Sequence, residues 1–283
     1  MGKISLVDLF LWTVRRNEKD VINMYGSLSN IMKIATGGDM LNFGYWDSET
    51  TSPFLAQKNM CALFAQVAQL GPGQKVVDVG CGFATPASLW KKTYSPIEMT
   101  CIDINFGHLR QAHAEQNAQH NEKIRIVNST ARLLPLKDES VDRVLALESA
   151  QHFKPFADFA SESYRVLKKD GILAIAIPVV ERPTSIMALG VLAMTWSSEH
   201  YAIDFIKSVL KQHGFEISSL QRIGASVYEP LAEYYEKNRE SLKVRISKEY
   251  PFYVESILYN SLLKMKEVSK NKIIDYLLVV CKK

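Results

Sequence analysis

Short apolar runs alternate with polar segments of helical length through the middle of the chain. Five such runs, rich in β-branched residues, lie between residues 75 and 180, and polar stretches long enough for helices separate most of them. Buried strands that alternate with helices are typical of parallel βαβ units. We expect strands at residues 76–79, 99–104, 124–127, 141–147 and 172–179, and helices at residues 84–91, 107–120 and 156–168.

The flanking segments carry a different pattern. Before this region, apolar residues recur at helical spacing over residues 4–12, 21–35 and 52–70. After it come an apolar segment, further helices and two strands, at residues 184–196, 202–212, 215–223, 230–270 and 276–281. The whole pattern predicts an α/β fold with a doubly wound, mostly parallel, Rossmann-like sheet of seven strands, an N-terminal helical cover and an inserted helical lid.

Composition narrows the class of protein. The chain has 283 residues, 47% of them hydrophobic and 23% charged, which excludes a disordered or coiled-coil protein. The net charge of 34 − 30 = +4 is too small to indicate a nucleic-acid partner. No apolar run approaches the roughly 20 residues that span a bilayer. We therefore expect a cytoplasmic protein without stable membrane insertion, and its four separated cysteines lack the spacing of a zinc site.

A glycine motif follows the first predicted strand of the sheet. Asp78, Gly80 and Gly82 lie in the sequence Asp-Val-Gly-Cys-Gly, and a helix with Pro86 in its first turn comes next. Glycines at this place let the backbone approach a ligand, although structural turns use the same pattern. The third glycine of a dinucleotide fingerprint would fall at position 85, which is Thr85. A pyrophosphate ligand, and with it an NAD-dependent dehydrogenase, is therefore disfavoured.

Two acidic residues indicate what binds instead. Asp78 would repel phosphate, but it suits an ammonium group or holds the loop. Asp103 ends the next strand 103 − 80 = 23 residues after Gly80, close to the roughly 20-residue interval at which a carboxylate meets ribose hydroxyls. A nucleoside without a phosphate chain fits both acids, and S-adenosylmethionine is such a ligand.

At this point the sequence resembles the class I S-adenosylmethionine-dependent methyltransferases, in particular the small-molecule group with ubiquinone and menaquinone, sterol and tocopherol, and natural-product sugar O-methyltransferases. The resemblance runs from Asn42 to about Pro178. It rests on five segments in this order: Asn-Phe-Gly-Tyr-Trp at residues 42–46, Val-Asp-Val-Gly-Cys-Gly at 77–82, Cys-Ile-Asp-Ile-Asn at 101–105, Leu-Pro-Leu at 134–136 before Val-Asp at 141–142, and Arg-Val-Leu-Lys-Lys-Asp-Gly at 165–171.

The resemblance implies a set of cofactor contacts. Gly80 and Gly82 would pass under the methionine part, while Asp103 would hold the ribose hydroxyls and Ile104 would pack on the adenine. Family members carry an acid for the adenine amino group where this chain has Thr130 and Ala131. The cofactor's amino group would be met near Leu147 and Glu148. The implied cofactor-binding residues are thus Tyr45, Asp78, Gly80, Gly82, Asp103, Ile104, Thr130, Ala131 and Leu147.

A histidine after the fourth strand is the candidate base. His152 matches a histidine that O-methylating relatives use to deprotonate a hydroxyl. The alternative is a histidine that caps or packs against the following helix. Tyr45 joins His152 as a candidate catalytic residue because the resemblance places it at a wall of the active site. The other histidines are weaker candidates for a catalytic role: His108, His113 and His120 are expected to be solvated, and His213 to cap a helix. We expect no metal.

The acceptor is predicted from an apolar segment. Residues 186–196 are apolar on nearly all sides and contain flexible methionines, which suit a lipophilic pocket, although core packing explains them equally well. The candidate substrate-binding residues are Trp46, Glu148, Met187, Met194, Trp196 and His200. We expect a small lipophilic acceptor and no nucleic acid. The helix around residues 6–12 fits either a lid or a subunit contact, which leaves a homo-oligomer as one alternative.

Together these observations favour a methyltransferase that acts on a small lipophilic metabolite, with O-methylation in natural-product biosynthesis and His152 as base. The alternatives are C-methylation, with or without cyclisation, of an isoprenoid or quinone-like acceptor, and methylation of RNA or protein. The expected organisation is an N-terminal helical cover (residues 1–70), an S-adenosylmethionine-binding core (71–180), a helical lid or acceptor region (181–265) that includes a core strand near 215–223, and a closing strand (266–283).

Overall fold

The computed structural model describes residues 17–119, 124–190, 192 and 199–283. The predicted helix at residues 4–12 lies outside these ranges, as does His120. The helices are α1 (Glu18–Thr36), α2 (Pro53–Val67), α3 (Thr85–Thr93), α4 (Phe106–Gln119), α5 (Phe156–Val166), α6 (Ile203–Gln212), α7 (Tyr228–Ser247) and α8 (Phe252–Lys270). Single turns of 3-10 helix cover Ala150–His152 and Gly224–Ser226, and a longer one covers Pro183–Leu189.

Seven strands form one sheet in the order β3-β2-β1-β4-β5-β7-β6. The four pairs β2–β3, β1–β2, β1–β4 and β4–β5 are parallel, and β6–β7 is antiparallel. The predicted doubly wound, mostly parallel sheet is therefore confirmed. The strands are β1 (Lys75–Val79), β2 (Glu98–Asp103), β3 (Arg125–Asn128), β4 (Val141–Leu147), β5 (Leu167–Val180), β6 (Glu216–Arg222) and β7 (Ile274–Lys282).

The chain divides into two compact units. One contains the described residues up to Asn59 together with Val179–Ala202 and Ile223–Asp275. The other contains Met60–Pro178, Ile203–Arg222 and Tyr276–Lys283, and thus most of the sheet. The four consecutive parts expected from the sequence stay a prediction about domain organisation.

The core of the sheet-containing unit consists of strands without polar faces. Residues 172–180 of β5 and residues 276–281 of β7 are all buried. Strands covered on both faces read as continuous apolar runs, which explains why the sequence reveals them. In the other unit, buried residues of α1, α7 and α8 form a second core, which contains Ile31, Ala232, Tyr235, Leu242, Ile246, Tyr250, Val254 and Leu262.

Three details differ from the sequence-based expectations. The helical stretch 230–270 is two helices, because Pro251 cannot continue α7. Strand β5 begins at Leu167, before the predicted residue 172, and its register against β4 shifts between Val141 and Arg143, so the bulge accommodates the polar residues at the start of β5. His108, expected to be solvated, is 8% exposed, and its ring lies 4.3 Å from that of Phe83.

One further expectation, the helix cap at His213, agrees with the structure. His213 follows α6 and its Nδ1 donates to the carbonyl oxygen of Val209 at 2.8 Å, as expected for a C-terminal cap. Among the helices that the structure describes, none is long and apolar enough to cross a bilayer.

The guanidinium group of Arg165 on α5 holds the Leu-Pro-Leu segment in place. It donates to the carbonyl oxygens of Leu134 and Leu136 at 2.9 and 2.8 Å, and it pairs with Glu162 and Asp138, each at 2.7 Å. These pairs raise the pKa of Arg165 above its ordinary value, because both carboxylates accept hydrogen bonds from it. A lysine has no planar fork with which to reproduce this set of contacts.

We predict that Arg165→Lys lowers the free energy of unfolding by about 1–2 kcal/mol, because it removes several hydrogen bonds from a partly exposed cluster. Urea denaturation measures this change. Arg110→Lys on the exposed surface of α4 is the matched control and should leave the midpoint unchanged. An unfolding free energy equal to that of the unsubstituted protein would show that the cluster contributes nothing.

Candidate active site

The loop after β1 leaves no space for a side chain at its first glycine. Gly80 has a φ of +77°, and an added Cβ would overlap the side chain of Ser149. The amide of Gly80 donates to the carbonyl oxygen of Ile102 at 2.7 Å, and the hydroxyl of Ser149 donates to the carbonyl oxygen of Val79 at 2.6 Å. The loop is therefore held between the ends of β2 and β4, and the close approach of Ser149 requires glycine at position 80.

Asp103 closes this loop from the end of β2. Its Oδ2 accepts the amide hydrogen of Gly82 at 2.8 Å, and its Oδ1 accepts that of Asn105 at 2.7 Å. Burial raises the pKa of Asp103, while these backbone hydrogen bonds act in the opposite direction. The residue remains partly exposed. Since each carboxylate oxygen can accept a second hydrogen bond, the group suits a ligand with neighbouring hydroxyls.

Asp78 is the more deeply buried of the two predicted acids. Its side chain on β1 is only 2% exposed. Burial, and secondly the neighbouring Asp103, raise the pKa of Asp78 to about 7. A carboxyl group in this state is largely protonated at mildly acidic pH, and a cationic ligand would favour its ionised form. The group therefore fits the ammonium that the sequence suggested.

Glu148 follows β4, and its side chain makes a hydrogen bond that the sequence did not reveal. Its backbone has a φ of +52°, its amide donates to the carbonyl oxygen of Ala176 on β5, and the residue is 9% exposed. Its Oε1 accepts a hydrogen bond of 2.8 Å from the hydroxyl of Tyr276 on β7. The available signal was the tyrosine itself, because a phenol in an otherwise aliphatic strand usually has a hydrogen-bond partner.

His152 lies at the end of the short helix Ala150–His152 and is half-buried. The amide nitrogen of the Gln151 side chain donates to the carbonyl oxygen of Glu148 at 2.6 Å and lies 3.3 Å from Nε2 of His152. In the tautomer with hydrogen on Nδ1, Nε2 accepts this hydrogen bond. His152 thus lies three residues after Ser149, which packs on Gly80, at the carboxyl edge of the parallel strands.

The region predicted to meet adenine is arranged around a turn. The hydroxyl of Thr130 accepts the amide hydrogen of Arg132 at 3.2 Å, and Ala131 is buried. Asn128 donates to the carbonyl oxygens of Asp103 and Ile104 at 2.8 and 3.1 Å, which joins this turn to the end of β2. Ile104 itself is partly exposed, as a side chain that covers one face of a base would be.

In the other unit, the loop that contains Tyr45 and Trp46 is well anchored. The amide of Tyr45 donates to the carbonyl oxygen of Ala56, and that of Trp46 to the carbonyl oxygen of Ser226, both at 2.8 Å. The ring centroids of Trp46 and Tyr234 are 5.7 Å apart. Within the described part of the chain, the buried Nε1 of Trp46 has no hydrogen-bond partner. The loop therefore has structural anchors and also one unsatisfied donor.

The remaining predicted acceptor residues are not brought together. Met187 is 92% exposed, and His200 is half-buried with a φ of +49°. Met194 and Trp196 lie outside the described residues. In the described ranges, no group of three or more histidine, cysteine, aspartate or glutamate residues is arranged to hold a metal ion.

Comparisons with known proteins find relatives for the part of the chain that contains these residues. Residues 77–175 match the model of a family described as a methyltransferase domain. The erythromycin 3″-O-methyltransferase of Saccharopolyspora erythraea is 29% identical over 166 residues, which cover 58% of this chain and 54% of the relative. The 27-O-demethylrifamycin SV methyltransferase of Amycolatopsis mediterranei is 30% identical over 139 residues, or 49% of this chain and 51% of the relative. The chain thus spans about half the length of these curated relatives.

The fold has a counterpart among solved structures. The cyclase SpnF superposes with a TM-score of 0.77 and 19% sequence identity, and the match covers 95% of this chain and 97% of that chain. The matched family domain begins inside β1 and ends inside β5, and so contains the glycine loop, Asp103, Glu148 and His152. Over residues 77–175, the chain thus matches a methyltransferase domain.

Proposed function

We propose that this protein is a methyltransferase that uses S-adenosylmethionine and acts on an oxygen atom of a small lipophilic metabolite. The observation that carries the proposal is the edge where β1, β2 and β4 end. There, the loop that contains Gly80 and Gly82 lies beside the buried carboxyl group of Asp78. It also lies beside Asp103, whose carboxylate can accept further hydrogen bonds.

The residues at this edge fit the cofactor part by part. On the family resemblance, the backbone of Gly80 and Gly82 would lie under the methionine part. Asp103 would accept the ribose hydroxyls, and Ile104 would cover the adenine. The turn at Thr130 and Ala131 would border the adenine edge, and the end of β4 at Leu147 the amino group. When bound, the cofactor supplies an electrophilic methyl group on a sulfonium centre.

For the chemistry, the chain has to align an oxygen with that methyl group and accept its proton. We assign the proton to His152, since it lies at the carboxyl edge of the parallel strands and histidine is the natural base for a hydroxyl near neutral pH. The curated relative from Saccharopolyspora erythraea is named as an O-methyltransferase, which supports oxygen as the acceptor atom. Tyr45 is proposed as a second residue at the reacting groups, on the family resemblance.

The acceptor is proposed to be an apolar small molecule, such as a polyketide or an aromatic compound. Trp46 would offer it a donor, since the buried Nε1 has no partner among the described residues. Met187, Met194, Trp196 and His200 remain proposed acceptor contacts on the character of their segment. The side chain of Met187 is exposed and available to a ligand.

We predict that Asp103→Asn weakens binding of S-adenosylhomocysteine about tenfold or more, because hydrogen bonds to a charged acceptor are lost. Isothermal titration calorimetry measures the affinity. Asp204→Asn is the matched control, since the side chain of Asp204 is 91% exposed and pairs only with nearby Lys207 in α6 among the described contacts. Unchanged affinity in Asp103→Asn would contradict the assignment to ribose.

We predict that the protein releases protons when it binds S-adenosylhomocysteine at pH 6.5. The pKa of Asp78 is raised to about 7 in the free protein, so the carboxyl group is largely protonated at this pH. The ligand's ammonium favours the carboxylate, and affinity should therefore rise from pH 6 to pH 7.5. Titration in two buffers of different ionisation enthalpy counts the protons. Asp78→Asn should lose this release, and an Asn variant that releases as many protons would refute the role of Asp78.

We predict that His152→Ala lowers the turnover number by about 100-fold or more, because the acceptor hydroxyl loses its base. Binding of S-adenosylhomocysteine should stay unchanged. Mass spectrometry detects the product as a gain of one methylene unit, and NMR distinguishes oxygen from carbon methylation. The exposed His113, replaced by alanine, serves as control. Full turnover in His152→Ala would reject the base but leave the methyltransferase assignment intact.

A further inference from the structure

The amide side chain of Gln151 has one orientation that its surroundings determine. Gln151 is 5% exposed, and its Nε2 donates to the carbonyl oxygen of Glu148 over 2.6 Å. A carbonyl oxygen only accepts hydrogen bonds, so the amide atom beside it has to be the nitrogen. The other amide atom, Oε1, is therefore buried, and it has no hydrogen-bond partner in the described part of the chain.

This unsatisfied oxygen cannot be relieved by turning the amide over. Rotation of the Gln151 amide by half a turn would place Oε1 against the carbonyl oxygen of Glu148, so that two acceptors would meet at hydrogen-bond distance. Buried polar atoms without a partner are rare in native proteins, and a catalytic role is one of the reasons for which they occur. The second contact of the amide nitrogen supplies such a role.

The amide nitrogen of Gln151 also faces the ring of His152. It lies 3.3 Å from Nε2 of His152, a longer contact than the 2.6 Å bond to Glu148. Because an amide nitrogen only donates, Nε2 of a neutral His152 has to accept, and the ring hydrogen then lies on Nδ1. The orientation of one amide thus selects one of the two tautomers of the imidazole.

Two hydrogen bonds connect this pair of side chains to the glycine loop. The amide of His152 donates to the carbonyl oxygen of Ser149 at 2.9 Å, and the hydroxyl of Ser149 donates to that of Val79 at 2.6 Å. Ser149 also occupies the space in which Gly80 would carry a Cβ. The turn that carries the pair is therefore fixed relative to the end of β1.

We propose that Gln151 is a positioning residue that keeps the lone pair of His152 on Nε2, the nitrogen that accepts the proton of the acceptor hydroxyl. The inference rests on the proposed function and deepens it. Without an acceptor, the amide of Gln151 donates to this lone pair, and the acceptor hydroxyl donates to it in turn. In the transfer, the O–H bond breaks, its proton bonds to Nε2, and the oxygen uses the electron pair to bond to the methyl carbon. The sulfur keeps the electron pair of the carbon–sulfur bond that breaks.

The tautomer is measured by nitrogen NMR of the full chain with isotope-labelled histidine, and the spectrum of His152→Ala identifies the signals. At about pH 8, where an ordinary imidazole is neutral, we expect hydrogen on Nδ1 of His152 and none on Nε2. Gln151→Glu keeps the shape of the side chain but places an acceptor oxygen against Nε2. We expect this variant to move the hydrogen to Nε2.

Turnover separates a positioning role from a structural one. The probe is a phenol or a sugar hydroxyl compound that the unsubstituted protein methylates. We expect Gln151→Leu to lower the turnover number about tenfold, because one orienting hydrogen bond is lost, and to leave KM and the affinity for S-adenosylhomocysteine unchanged. In the His152→Ala background the same substitution should have no further effect, because both side chains act through one nitrogen.

Gln74→Leu is the matched control. The amide of Gln74 donates to the carbonyl oxygen of Gln69 at 3.0 Å and accepts from the backbone of Gly71 at 2.9 Å, just before β1 begins. This variant also loses the hydrogen bonds of a glutamine. It should lower the melting temperature but keep both the turnover number and the nitrogen signals of His152.

Three outcomes overturn the inference. In the first, Nε2 of neutral His152 carries the hydrogen in the unsubstituted protein, a result that requires no variant to fold. In the second, Gln151→Leu keeps full turnover. In the third, it lowers turnover by the same factor in the His152→Ala background, which indicates a structural role. A failure of the proposed function is distinguishable, because full turnover in His152→Ala rejects the base even where His152 has the expected tautomer.

Discussion

The close approach between the loop after β1 and the turn after β4 is the constraint on which the site depends. Ser149 fills the space beside Gly80, and its hydroxyl bonds to the carbonyl oxygen of Val79. On the other side, Asp103 accepts the amide hydrogen of Gly82. The loop is therefore clamped between β2 and β4, the two neighbours of β1 in the sheet. This clamp keeps the backbone of the loop in one conformation, which would limit the entropy lost if a ligand binds there.

Charge is the reason why we propose that this edge binds a cation. Asp78 and Glu148 are buried, and Asp103 is partly so. Burial of carboxyl groups disfavours their ionised forms, as the pKa of about 7 for Asp78 shows. A ligand that brings positive charge to the methionine end and hydroxyls to the ribose end satisfies these acids. A pyrophosphate would add negative charge at the same place. The absence of a glycine at position 85 and the presence of three acids thus lead to the same ligand class.

The distance in sequence between interacting residues decides which features of the fold and the site were predictable. The strands were predicted because each buried strand is a local apolar run. The glycine loop and Asp103 were predicted because their motif and their spacing along the chain are visible in the sequence. The contact of Glu148 with Tyr276 was not predicted, since a sequence pattern does not show which strand lies opposite position 148. The burial of His108 was also missed, because its ring packs on Phe83 from a different segment. The start of β5 was placed late because polar residues lie in its bulge.

The central claim is that this edge binds S-adenosylmethionine rather than a dinucleotide. Titration calorimetry of the unsubstituted protein with S-adenosylmethionine, and separately with NAD, tests it most directly. The account predicts saturable binding of one molecule of S-adenosylmethionine per chain and no measurable heat of binding with NAD. Tight binding of NAD, or no binding of S-adenosylmethionine, would contradict it.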